Sequence, residues 1–68
     1  MNNQDLTPHS FWSRIDSIRV SQNKSWYSIA KAIGVDYHNL YNMRTHLPSL
    51  NTAKKLSAFL NVTIDELL

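Results

Sequence analysis

Residues 37 to 42 read YHNLYN: two phenols, an imidazole and two carboxamides around one leucine. A carboxamide offers a donor and an acceptor side by side, an imidazole can supply either, and a phenol adds a hydroxyl to an apolar ring. Such groups suit bonding to the polar edges of another molecule better than breaking bonds. The chain holds no cysteine and a single glycine, so thiolate chemistry and a Gly-rich phosphate cradle are excluded. No Ser-His-Asp set is visible. His9, His38 and His46 match no helical ligand spacing, and no carboxylate cluster supports them. No enzyme activity, no cofactor and no metal site is expected.

Charge points the same way. Net charge is +2, and all seven basic residues (Arg14, Arg19, Lys24, Lys31, Arg44, Lys54 and Lys55) lie in the middle of the chain. Only Asp16 and Asp36 oppose them there, while Asp5, Asp65 and Glu66 sit at the ends. A basic middle with acidic ends suits an anionic partner on one face. At 68 residues the chain makes one small domain, 1–68, and 43% hydrophobic content supplies one modest core. No apolar stretch approaches a membrane span, and the polar start lacks the plan of a signal peptide. No membrane partner and a cytoplasmic location are expected, and residues 1–7 are expected to be a flexible lead-in.

The elements that must position these groups read as helices. Thr7 can cap a first helix from about Pro8 to about Gln22, with Phe11, Ile15 and Ile18 on one stripe and Trp12 beside it, as core or dimer-side packing. Ser25 caps a second, in which Trp26, Ile29, Ala30 and Ile33 follow the helical template. Gly34 sits just past its end, where a left-handed residue closes many helices. Asp36 is the expected cap of a third helix, with Leu40 and Met43 inward and Val35 plugging the turn. Pro48 breaks the chain, and Ser49 caps a fourth helix lined by Leu50, Ala53, Leu56, Ser57 and Leu60. Asn61 ends it. Thr63 and Glu66 then form a capping box for a last turn whose apolar face is Ile64, Leu67 and Leu68. The result is an all-α domain of five short helices. About three residues around Gly34 join the second and third, the spacing of a helix-turn-helix.

The run RIDSIR…SWYSIAKAIGVDYHNLYNMR…LPSLNTAKKLSAFLNVTIDELL resembles the phage repressor and Cro type of helix-turn-helix, the XRE family. Ile29-Ala30, Ile33-Gly34-Val35, Pro48-Ser49-Leu50 and Asn61 to Leu68 match that frame in register, over about Phe11 to Leu68. The resemblance implies a lambda-repressor-like DNA-binding fold. It also implies sequence-specific binding of a double-stranded DNA operator, usually as a homodimer, to regulate transcription. It places base reading at Tyr37, His38 and Asn42, with Tyr41 and Asn39 close by. The residue opening the second helix, Trp26 here, stands where the family grips a phosphate through an amide. Lys24, Ser25, Lys31, Arg19, Arg44 and Thr45 are the other candidates for phosphate contact. Arg19 and Arg44 stand where the family often pairs an Arg with a Glu; as both are positive, one or both are expected to turn outward. Trp26 itself is expected half-buried at the rim of the core.

If the chain is whole, Ile64, Leu67 and Leu68 form the expected dimer surface; it can equally be the head of a longer repressor. A second reading from a different class stays open: a helix-turn-helix-shaped module that binds a protein partner, as an antirepressor or antitoxin does. The aromatic content of the third helix favours it, because Tyr and Trp anchor protein interfaces.

Overall fold

The computed structural model describes residues 6–68. Met1 to Asp5, most of the segment expected to be flexible, lie outside the described residues. Thr7, at the end of that segment, is fixed in place: it forms a reciprocal capping box with Ser10. Five helices follow, α1 (Pro8–Ser21), α2 (Trp26–Ile33), α3 (Tyr37–Met43), α4 (Leu50–Leu60) and α5 (Ile64–Leu67), and no strand occurs among the described residues.

Polar side chains start four of the five helices. Ser25 accepts from the Ser28 N–H at 3.0 Å and Ser49 from the Thr52 N–H at 3.3 Å. Thr63 accepts from the Glu66 N–H at 3.2 Å while the Glu66 carboxylate takes the Thr63 N–H at 2.9 Å. Each bond satisfies a donor that a helix start would otherwise leave to water. Asp36 holds the cap position of α3 in extended backbone, but its side chain makes no capping bond. Its contribution is therefore its charge beside the positive end of the helix.

Three helices stop in one way. Asn23, Gly34 and Asn61 adopt the left-handed conformation with φ of 58°, 78° and 57°. After each, the next residue's N–H reaches back five positions: Lys24 to Arg19, Val35 to Ala30 and Val62 to Ser57, at 2.9 to 3.0 Å. This is the Schellman closure, which redirects the chain sharply while satisfying terminal carbonyls. Asparagine performs at two sites what the one glycine performs at the third.

The core is the shared inner face of these helices. Phe11, Ile15, Ile29, Leu40, Leu56, Leu60 and Leu67 are fully buried, with Trp12, Ala30, Ile33 and Ala53 nearly so. Burial of each large side chain contributes about 1.5–3 kcal/mol before the entropy of ordering it is subtracted. α2 lies at the centre, packed on α3 and α4, and α5 closes the bundle against α4 and α1. Two expectations change here. Leu50, placed by spacing on the inner side of α4, is 64% exposed, because the first turn of that helix projects past the core. Leu67, expected on a dimer surface, is 0% exposed and belongs to the core; of that trio only Leu68 is exposed, and Ile64 is half-buried.

Side chains tie the loops down. The Trp12 indole donates to the His46 carbonyl at 2.7 Å, which fixes the end of α3 against α1. Gln22 donates to the Leu60 carbonyl at 2.7 Å and the Lys24 ammonium to the Phe59 carbonyl at 2.9 Å. Both cover the negative end of α4. Arg14 donates to the carbonyls of Leu67 and Leu68, joining α1 to α5.

Candidate nucleic-acid interface

α3 is held by one side. Leu40 is fully buried and Met43 half-buried, so at 100° per residue the opposite face carries His38, Asn42 and Thr45. Tyr37 and Tyr41 flank that face on one side and Asn39 on the other. All six are exposed. Among the described residues, no side chain of Tyr37, His38, Asn39, Tyr41 or Asn42 forms a hydrogen bond. Thr45 differs: its hydroxyl donates to the Asn42 carbonyl at 2.7 Å, so its proton is turned back onto the helix. The structure thus brings the five expected base-reading residues onto one presented surface, with their donors and acceptors unpaired.

The expected phosphate contacts divide into two groups. Ser25 and Lys31 are exposed at α2, where the Ser25 hydroxyl accepts from Ser28 and keeps its own proton for a partner. Lys31 lies with its ammonium 5.5 Å from the Tyr27 ring centre. Lys24, by contrast, is engaged inside the protein. Its ammonium donates to Gln22 Oε1 at 2.7 Å and to the Phe59 carbonyl, and sits 4.6 Å from the Phe59 ring centre.

Arg19, Trp26 and Arg44 form one assembly. Trp26 is half-buried, packed on the core and tilted against Trp12 at 6.3 Å between ring centres. The Arg44 guanidinium carbon lies 4.0 Å from the Trp26 ring centre and that of Arg19 lies 5.0 Å away. Neither arginine turns outward, contrary to expectation, because the electron-rich indole face attracts both. Two like charges beside one ring repel each other. Asp16 offsets one of them: its Oδ1 accepts from Arg19 Nε at 3.0 Å and Nη2 at 2.6 Å. Arg19 Nη1 also donates to the Lys24 carbonyl at 3.0 Å. The Arg44 side chain makes no hydrogen bond or ion pair among the described residues.

Two grooves border α3. A shallow crevice between the starts of α2 and α3 is lined by Arg19, Ser25, Trp26, Tyr27 and Tyr37. A more polar groove between α1 and the end of α3 is lined by His9, Ser13, Ser17, Tyr41, Arg44 and Thr45 among others. Tyr27 was not singled out from the sequence. It is 60% exposed, and the signal was its place on α2: Trp26, Ile29, Ala30 and Ile33 make the apolar stripe, and Tyr27 falls outside it.

No family model, no curated protein and no solved structure matches this chain. The interface therefore rests on its own geometry and on the sequence pattern.

Proposed function

We propose that the chain is a helix-turn-helix module of the repressor and Cro type that binds double-stranded DNA in a sequence-specific way. In this reading α3 enters the major groove, with the lambda-repressor-like arrangement of helices holding it there. The observation that carries the reading is the α3 face: five polar or ring-bearing side chains, unpaired among the described residues, on a short helix set off by a three-residue turn. His38 and Asn42 lie at its centre. A carboxamide can bond an adenine edge with two hydrogen bonds, worth about 1–3 kcal/mol of discrimination. Lys31, Ser25 and Arg44 border the face and supply positive charge or a hydroxyl toward the phosphates. A homodimer on a near-palindromic operator fits so small a reading surface, since one helix spans only a few base pairs.

Selection of bound duplexes from a random pool tests this directly. A recurring motif is expected, and Asn42→Ala should relax it at one or two base pairs while leaving overall retention. Indifference of the unmutated protein to sequence would overturn the reading. The alternative, a module that docks on a protein, is favoured by one observation: Tyr27, Tyr37 and Tyr41 are 60%, 49% and 69% exposed around the same face. Retention on mixed duplex DNA that weakens with salt separates the two, because a protein-only module passes through such a column.

A further inference from the structure

We infer that Arg44, held over the Trp26 indole, is the principal phosphate-binding group of this face, and that Trp26 is its positioning residue. The inference rests on the DNA-binding reading and specifies how that reading is executed. The two arginines on Trp26 are not equivalent. Arg19 spends three of its N–H groups on Asp16 and on the Lys24 carbonyl, so it is structural and its charge is locally offset. Arg44 lies nearer the ring, at 4.0 Å, and among the described residues none of its guanidinium N–H groups is bonded and no carboxylate is paired to it. A guanidinium carries its donors on its edge, and contact with the ring restricts how the group can turn. An edge held in one plane meets two phosphate oxygens at once, with less rotamer freedom left to lose.

Position supports the assignment. Arg44 directly follows the last residue of α3 and lines the groove beside Tyr41 and Thr45, next to the presented face. That groove also carries hydroxyls from Ser13, Ser17 and Tyr41, a neutral donor-rich lining suited to a phosphate diester. Its one carboxylate, Asp16, is already bound by Arg19. The stack also leaves one uncompensated positive charge beside the ring, and an arriving phosphate removes that imbalance. Trp26 thus serves the contact without donating to DNA itself.

The test uses the full chain and a short duplex of mixed sequence, since a phosphate contact is independent of sequence. Arg44→Gln should lower affinity and reduce the slope of log affinity against log salt by about one. Arg44→Lys should keep the slope yet bind about tenfold more weakly, because charge survives and the planar fork does not. Trp26→Leu should lose a similar factor, and Trp26→Phe, which keeps a ring, should recover most of it. Combining Trp26→Leu with Arg44→Lys should cost no more than either alone, the mark of a coupled pair. Circular dichroism checks that each variant is folded, and the Arg44 series stands even if Trp26→Leu is not. An Arg44→Lys protein that binds like its parent, or additive effects in the double variant, overturns the inference while the DNA-binding reading survives. A parent chain that shows no salt-dependent retention on duplex DNA overturns both.

Discussion

At the scale of single residues, the same side chain type takes opposite roles according to its neighbours. Lys24 and Lys31 read alike in the sequence, as basic residues flanking or within the second helix. In the fold, Lys31 stands exposed on α2, while the Lys24 ammonium donates to Gln22 and to the Phe59 carbonyl. Hydrogen bonds to a charged group at a part-buried site contribute about 1.5–3 kcal/mol. Lys24→Ala should therefore lower stability by about 1–2 kcal/mol, read in urea unfolding, with DNA affinity little changed. Lys31→Ala should do the reverse: stability held within about 0.5 kcal/mol, as for most surface changes, and a salt slope reduced by about one. On the proposed DNA-binding reading, equal effects of the two substitutions on binding would make both lysines phosphate contacts and remove this distinction. The sequence could not separate them, because the carbonyl that captures Lys24 lies 35 residues further along the chain.

At the scale of elements, backbone closure decides where α3 points. Gly34, Asn23 and Asn61 all hold the left-handed conformation, which costs a residue with a Cβ about 1–2 kcal/mol. A Cβ built on Gly34 meets nothing within 4 Å, so the cost of replacing this glycine is conformational and not steric. Gly34→Ala should lower stability by about 1 kcal/mol while leaving the fold intact, and Asn23→Gly and Asn61→Gly should each be neutral or stabilising. Thermal melts of the three variants check this; a Gly34→Ala protein as stable as its parent would mean that the turn has another conformation. Helix starts and stops were the most legible part of the sequence, because a cap is made by residues three or four apart. Ser25, Ser49, Thr63 and Gly34 all act as their types and spacing predict. Less was legible where distant parts meet. Spacing put Leu50 inward, since periodicity gives a face but not how far the neighbouring helix extends. The resemblance, with two positive residues at paired positions, put Arg19, Arg44 or both outward, since only the folded chain brings both to Trp26. Of the candidate interface, the α3 residues could be read directly, whereas Tyr27 and the shared indole could not.

For the molecule as a whole, the question is how much of so small a core can be spared for a partner. Leu67 in α5 is fully buried against the rest of the bundle, although its place in a terminal apolar turn reads as a surface for a second copy. The two assignments predict different experiments. As a core residue, Leu67 truncated to Ala loses about 2–5 kcal/mol through lost burial and the cavity left behind. Domains of this size hold only about 3–5 kcal/mol in all, so Leu67→Ala should be largely unfolded at room temperature. That loss should not depend on protein concentration, because no second chain takes part. As a dimer residue, Leu67→Ala would instead leave a folded monomer, and the parent's Tm would rise with concentration by mass action. Of the three α5-end residues expected to meet a copy, Leu68, 54% exposed beside the half-buried Ile64, is the one left open for a copy to cover. Leu68→Ala should therefore leave the melt of the free chain unchanged, and weaken cooperative occupation of two half-sites if the operator is bound as a homodimer. A Tm that climbs with concentration in the parent, together with a folded Leu67→Ala, would return α5 to the interface. A concentration-independent melt with an unfolded Leu67→Ala keeps α5 as the closing side of the core, and leaves only Ile64 and Leu68 of the expected dimer surface open to a second copy on DNA.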